Sequence, residues 1–190
     1  MTDYLILVNK DHPLDKNFVP EDLVEINEPT GTKVDSTYVN RLNKEVYAHF
    51  KKMQEAALKE GYQIFIDSSY RTYEYQQVLF DDLVSKKGLE YTLTSVAKPG
   101  CSEHQTGLAI DILFMRDGVL FESFEVDEPE IVWAMNNAYK FGFILRYPKD
   151  KEDVTGFMFE PWHYRYVGEE VSKKMHDENI LTLEEYLGKV

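Results

Sequence analysis

The sequence is poor in cysteine and in positive charge. Cys101 is the single cysteine among 190 residues, so no intramolecular disulfide can form and the chain does not need an oxidising compartment. Lysine and arginine number 21 against 34 aspartates and glutamates, which gives a net charge of −13 at pH 7. This balance argues against a nucleic acid or an anionic membrane as the partner. Because no long run of like charge occurs, we attribute the charge to solubility.

Long apolar runs are absent as well. Near its start the sequence has only a five-residue apolar run, from Tyr4 to Val8, and acidic Asp3 precedes it. Such a run is not a signal peptide or a membrane-spanning helix. With no repeat, low-complexity tract or linker, we expect a single domain over residues 1–190, located in the cytoplasm as the sequence is given. The alternative is an extracytoplasmic protein whose leader or anchor lies outside this sequence.

The order of apolar patterns predicts an α+β fold. Residues 4–8 suggest a strand, and about 9–35 an irregular arm punctuated by proline and glycine. Ser36 is a candidate N-cap for a helix that ends at Gly61, in which apolar residues recur at helical spacing: Val39, Leu42, Val46, Phe50, Met53 and Leu58. The remaining patterns predict strands over 62–67, 108–114, 143–147 and 157–167, helices over 72–87 and 129–141, and a short last helix capped by Thr182 and Glu185. We therefore expect a central antiparallel sheet with helices packed on one side.

A carboxylate interrupts one of the predicted strands. Residues 108–114 read LAIDILF, and Asp111 is strongly disfavoured there unless a charge or a metal ion compensates it. His104 lies seven residues earlier, and His163 follows some fifty residues later. Two histidines and one aspartate suit a zinc ion that keeps one position open for water, as in a catalytic site.

Each of these residues also has an ordinary interpretation. A lone histidine is more often packed or at the surface than a ligand, and a strand aspartate can pair with an arginine, for which Arg71, Arg146 and Arg165 are available. Glu160 favours the zinc interpretation, because it stands three residues before His163 and supplies the base that a zinc-activated water requires.

A cysteine-protease site is a further alternative, since Cys101 lies close to His104 in sequence. No separate asparagine or aspartate is evidently assigned to orient that histidine. We therefore interpret Cys101 as a small, semi-buried packing residue beside Pro99 and Gly100.

The combined motifs resemble a known family. The pattern Ser102-x-His104-x-x-Gly107-x-Ala109-x-Asp111, followed by Glu160-x-x-His163, is similar to the zinc D-alanyl-D-alanine carboxypeptidases of the VanY type and their VanXY relatives. Matching strings also occur at 7–14, 68–72 and 142–148, so the similarity extends from about the first predicted strand to Gly168. The resemblance implies a LAS/hedgehog-like fold with the zinc site in a cleft on the sheet.

The resemblance also implies roles for individual residues. His104, Asp111 and His163 would bind one zinc ion per chain, Glu160 would be the catalytic base, and Arg71 would face the substrate and stabilise charge on the carbonyl oxygen.

A carboxypeptidase must in addition recognise a free terminal carboxylate. By the same resemblance, Ser69, Gln77 and Ser102 are the polar candidates for binding the substrate.

The implied function is zinc-dependent hydrolysis of the C-terminal D-alanine from peptidoglycan stem peptides that end in D-Ala-D-Ala. A VanXY-like enzyme would also cleave the free dipeptide D-Ala-D-Ala. An L,D-carboxypeptidase that trims tetrapeptide stems is an alternative, because the zinc motif is shared and only the pocket loops would differ. A non-catalytic domain that binds peptidoglycan or is stabilised by zinc is another, which Glu160 disfavours because a structural site has no use for a base.

Overall fold

A five-stranded antiparallel sheet forms the centre of the computed structural model, which describes residues 2–29, 31, 38–121 and 125–189. The strands are β1 (Leu23–Glu25), β2 (Arg41–Asn43), β3 (Gln63–Ser68), β4 (Ala109–Arg116), β5 (Val119–Phe121), β6 (Phe143–Leu145) and β7 (His163–Tyr166). The central sheet has the order β3-β4-β7-β6, with β5 also paired to β4, while β1 and β2 form a separate pair. This arrangement confirms the predicted α+β class.

Helices connect the strands and cover the sheet. They are α1 (Lys44–Lys59), α2 (Tyr73–Lys87), α3 (Leu89–Ser95), α4 (Pro129–Asn137), α5 (Glu152–Thr155), α6 (Glu169–Asp177) and α7 (Leu183–Leu187), with 3₁₀ turns at Glu103–Thr106 and Ala138–Phe141. In the part of the chain that the structure describes, no helix is both long and apolar enough to cross a bilayer.

The two faces of the sheet differ in chemistry. Side chains alternate along a strand, so Ile110 and Ile112 of β4 lie in the main apolar core while Asp111 points to the opposite face. Helices α1 and α4 supply the other side of that core, with Val46, Phe50, Met53 and Ala57 from α1 and Ile131, Trp133 and Ala134 from α4. A smaller cluster contains Ile144, Val167, Met175 and Leu183 and ties α6 and α7 to β6.

Helix α1 begins later than its apolar spacing suggests. Its N-cap is Asn43, whose side chain accepts the backbone N–H groups of Glu45 and Val46, and the preceding residues form β2. Ser36, the predicted cap, lies outside the described residues. Val39 and Leu58 of the predicted stripe are exposed, and Ala57 is buried in place of Leu58.

The segment 4–8 is not a strand, although its residues alternate as in one. Tyr4 and Ile6 pack against the main core, whereas Leu5 and Leu7 pack against the smaller cluster. The carbonyls of Tyr4 and Ile6 accept hydrogen bonds from the Arg165 guanidinium, at 3.0 and 2.8 Å, rather than from a neighbouring strand. The alternating pattern of this segment therefore reflects packing between two apolar clusters and not pairing in a sheet.

Two other predictions need adjustment. The irregular arm contains the short strand β1, which pairs with β2. The strand predicted over 157–167 is reduced to β7, because residues 157–162 form the loop that carries Glu160 into the cleft. The predictions at 62–67, 72–87 and 129–141 are confirmed to within a few residues by β3, by α2, and by α4 with the 3₁₀ turn after it.

Candidate active site

Strand pairing brings the predicted zinc ligands together. Asp111 on β4 lies directly opposite His163 on β7, and His104 lies in the 3₁₀ turn just before β4. The two imidazole rings are edge to face, with centroids 4.9 Å apart. One ligand atom from each of the three residues lies within 4.8 Å of the others. Residues distant in sequence thus converge on one point of the polar face.

The orientation of each histidine shows which nitrogen is available. Nδ1 of His104 donates to the carbonyl of Ser69 at 2.7 Å, so Nε2 faces Oδ2 of Asp111 at 3.2 Å. Nδ1 of His163 faces Oδ1 of Asp111 at 2.9 Å. Two imidazole nitrogens and one carboxylate, converging and buried, fit a zinc ion with three protein ligands and one open position.

Local charge favours a cation at this point. Burial, followed by the nearby Arg71 cation, lowers the pKa of His104 to about 4, so this imidazole is neutral and free to bind metal. Burial would raise the pKa of Asp111, but the Arg71 cation and the hydrogen bond from His163 help to hold it well below its usual range. Burial would likewise lower the pKa of His163, yet the carboxylates of Asp111 and Glu103 raise it to about 9. A metal ion bound at Nδ1 of His163 would replace the proton that these carboxylates attract.

Glu160 lies beside the ligands rather than among them. Its backbone N–H donates to the carbonyl of Tyr147 at 3.1 Å, and its carboxylate is 3.8 Å from Nδ1 of His163. Burial, with a smaller contribution from the Asp111 carboxylate, raises the pKa of Glu160 to about 8. A carboxyl group that titrates near neutral pH can both take and return a proton.

Arg71 is held at the edge of the same cluster. A β-bulge between Ile66 and Ser68 turns Ser68 toward the polar face, opposite Asp111. Ser68 Oγ accepts Nε of Arg71 at 2.9 Å, Gln76 Oε1 accepts Nη1 at 3.5 Å, and Nη2 forms an ion pair with Asp111. The negative charge of Asp111 is therefore balanced by an arginine and also contacts an imidazole. Pairing with an arginine is the alternative to metal binding that the sequence allows for a strand aspartate.

The three predicted substrate residues lie in different environments. Ser102 is buried and lines the cleft. Ser69 is buried and is not among the residues that line the cleft, and its hydroxyl donates to Asn40 at 2.8 Å. Gln77 is exposed and its amide donates to Asp81 at 2.9 Å, so the structure does not bring it to the cleft.

The cleft has a volume of about 210 Å³, and one of the residues that line it, a glutamine, was not predicted from the sequence. Gln76, one position before Gln77, lines it and donates to the carbonyl of Ala97 at 2.8 Å. Tyr147 lines it too, with its ring centroid 4.9 Å from that of His163. Which of the two glutamines lines the cleft depends on how α2 packs, and the sequence alone does not show this packing.

Trp162 and Tyr164 flank His163 in sequence and separate in space. Trp162 lines the cleft, whereas Tyr164 lies in the main apolar core on the opposite face of the sheet.

Cys101 lies in an environment that does not suit a nucleophile. It is buried, and burial raises the pKa of its thiol. This environment disfavours the cysteine-protease alternative.

Comparison with known proteins identifies relatives over nearly the whole chain. The family model described as VanY, D-alanyl-D-alanine carboxypeptidase, matches residues 39–169. The putative carboxypeptidase YodJ of Bacillus subtilis is 45% identical over 188 residues, which cover 98% of this chain and 67% of YodJ.

Solved structures agree with this relationship. The LdcB LD-carboxypeptidase matches with a TM-score of 0.84 at 44% identity, over 98% of this chain and 86% of LdcB. A variant of the vancomycin-resistance D,D-pentapeptidase VanY from the VanB-type cassette, in complex with Zn(II), matches with a TM-score of 0.80 at 37% identity. That match covers 97% of this chain and 98% of the other, and the same enzyme has also been solved with D-alanine-D-alanine.

Proposed function

Because the chain belongs to the VanY family and is a peptidase, we propose that it uses a zinc ion to release the C-terminal D-alanine of peptidoglycan stem peptides. The observation that carries the proposal is the convergence of His104, Asp111 and His163 in a cleft beside Glu160, a carboxyl group outside the ligand set. The Zn(II) complex of the related VanY supports the choice of metal.

Glu160 is the proton carrier of the proposed reaction. A zinc ion, when bound, supplies positive charge that acidifies water and polarises the scissile carbonyl. Glu160 removes a proton from the water as its oxygen bonds to the carbonyl carbon. As the carbon–nitrogen bond breaks, Glu160 passes that proton to the departing amine of D-alanine.

Arg71 supplies a second positive charge. Ser68 and Gln76 fix its guanidinium beside Asp111, so it faces the cleft without needing to reorganise during the reaction. In that position it stabilises the negative charge that develops on the carbonyl oxygen. Ser102, in the cleft wall, is the predicted residue best placed to bind the terminal carboxylate.

Two bonds are candidates for cleavage. The family description and the D-alanine-D-alanine complex of the related VanY favour the D,D bond of a pentapeptide stem. The higher likeness to LdcB, with a TM-score of 0.84 against 0.80, favours the L,D bond of a tetrapeptide stem as the second candidate. Both reactions release one D-alanine and use the same zinc chemistry.

Release of D-alanine from defined substrates tests the proposal. The purified protein is incubated with a pentapeptide stem, a tetrapeptide stem and free D-Ala-D-Ala, each with zinc and with a chelator, and D-alanine is quantified. We expect release that needs zinc from at least one stem, and the stem that reacts faster identifies the bond. Release that persists in chelator excludes zinc catalysis. Zinc binding without release from any substrate favours the non-catalytic alternative.

A further inference from the structure

The carboxylate of Glu103 lies behind the imidazole of His163, on the side away from Asp111. Oε2 of Glu103 is 3.7 Å from Nε2 of His163, and neither atom has a hydrogen-bond partner among the described residues. Glu103 is fully buried and His163 nearly so. Buried polar atoms are rarely left unpaired, so two such atoms that face each other are natural partners.

The tautomer of His163 determines whether its Nε2 can donate a hydrogen bond to Glu103. Nδ1 of His163 is the nitrogen that faces Asp111 and the point where the ligands converge. A neutral imidazole carries one N–H, so a cation on Nδ1 requires the proton to be on Nε2. A small rotation of either side chain shortens 3.7 Å to a hydrogen bond of about 2.9 Å.

Two arginines fix the Glu103 carboxylate in this orientation. Oε1 accepts Nε of Arg146 at 2.8 Å and Nη1 of Arg165 at 2.7 Å, which leaves Oε2 for His163. Both arginines are fully buried. Arg146 also pairs with Glu184 of α7 through two hydrogen bonds of 2.9 and 2.6 Å. The two guanidiniums balance the charges of the Glu103 and Glu184 carboxylates. Oε2 of Glu103, which neither arginine contacts, is thus an available acceptor.

We propose that Glu103 is a positioning residue, which accepts the Nε2 proton of His163 and holds that imidazole for metal binding through Nδ1. The inference rests on the zinc site of the proposed function. His104 is anchored in the same way, since its Nδ1 donates to the Ser69 carbonyl. Loss of such an outer partner typically weakens metal affinity about 10–100-fold.

A matched pair of variants separates positioning from structural support. Glu103→Gln and Glu184→Gln each remove one negative charge from the same buried cluster and one carboxylate partner of Arg146, but only Glu103 faces His163. Zinc affinity is measured on the metal-free proteins by competition with a chromophoric chelator, and the visible spectrum of the cobalt-loaded form reports ligand geometry.

We expect Glu103→Gln to bind zinc about 10–100-fold more weakly and to change the cobalt spectrum. Glu184→Gln should retain wild-type values for both, even where its thermal stability falls. Equal weakening in the two variants, or wild-type affinity in Glu103→Gln, overturns the inference. A wild-type protein that binds no zinc overturns the proposed function as well, so the two failures are distinguishable.

A measurement on the wild type covers the case in which Glu103→Gln does not fold. Nitrogen-15 NMR of the zinc-loaded protein identifies the protonated ring nitrogen of each histidine. We expect His163 to carry its proton on Nε2 and His104 to carry its proton on Nδ1. A proton on Nδ1 of His163 overturns the inference.

Discussion

At the scale of single residues, the pKa values of two neighbouring carboxyl groups, Asp111 and Glu160, are shifted in opposite directions. Burial acts on both Asp111 and Glu160. At Asp111 the Arg71 cation and the hydrogen bond from His163 oppose burial, and the pKa lies well below the usual range, whereas the pKa of Glu160 rises to about 8. The first therefore stays ionised and suits a metal ligand. The second exchanges a proton near neutral pH and suits a base, so environment assigns different tasks to similar groups.

Replacement of Glu160 should separate metal binding from turnover. Because Glu160 lies outside the ligand set, Glu160→Gln should keep its zinc and lose about 10²–10⁴-fold in rate. Zinc content by elemental analysis and D-alanine release are measured on the same preparation. His104→Ala is the control, and it should lose zinc and activity together. Parallel loss of zinc in Glu160→Gln would make Glu160 a ligand instead of a base.

Replacement of Arg71 should act mainly on the chemical step. A cation aimed at developing charge contributes in the transition state, so Arg71→Ala should lower kcat by about 10²–10³-fold with a smaller rise in KM. Lysine retains the charge and loses the planar fork that contacts Ser68 and Gln76, so Arg71→Lys should recover only part of the rate. A raised KM at nearly constant kcat would assign Arg71 to substrate anchoring.

Cys101 should be dispensable and unreactive. Burial raises the pKa of its thiol, which leaves little thiolate near neutral pH. Cys101→Ala should keep at least most of the D-alanine release, and the native protein should react slowly with a thiol reagent that labels it at once in guanidinium. Rapid inactivation of the native protein by the reagent would revive the cysteine-nucleophile alternative.

At the scale of elements, the sequence predicted helix ends that depend on residues close in sequence, such as a capping side chain or a terminal glycine. Helix α2 begins after Thr72, whose side chain caps it, and ends at Gly88, as the sequence indicates. The start of α1 and the state of residues 4–8 depend instead on distant partners. Residues 41–43 are withdrawn from the helix by pairing with β1, and segment 4–8 is held by Arg165.

Gly107 is a glycine next to the predicted zinc site. It ends the turn that carries His104 with a φ of 68°, and an added Cβ would lie 2.9 Å from Cδ2 of Leu23. Gly118, in the β4–β5 turn, has a similar φ of 77° but no neighbour within 4 Å among the described residues. Gly118→Ala should therefore cost only backbone strain, about 1–2 kcal/mol.

Gly107→Ala should cost that strain and the collision with Leu23 besides, and should weaken zinc binding through His104. Urea unfolding of both variants, with m-values compared, measures the difference. Equal destabilisation of the two would show that Leu23 yields freely and that strain alone matters.

At the scale of the whole molecule, the sequence predicted which three side chains converge better than it predicted their surroundings. His104, Asp111 and His163 are candidate ligands from the sequence because a charged residue in an apolar strand and a shared motif are visible locally. The position of Gln76 in the cleft, and of Gln77 at the surface, depends on how α2 packs. The support of His163 by Glu103 depends on side chains from three separate parts of the chain, which no spacing in the sequence records.

Zinc should stabilise the entire fold, because its ligands join the turn before β4, β4 itself and β7. An ion that binds only the folded state adds about 2.7 kcal/mol at a free concentration of 100 times Kd, which corresponds to a rise in Tm of about 5–11 °C for a chain of this length. Thermal unfolding is followed in chelator and across a zinc titration. His104→Ala, which lacks one ligand, should unfold at the same temperature with or without zinc. A wild-type Tm that ignores zinc, or an equal response from His104→Ala, would mean that these three residues do not form the metal site.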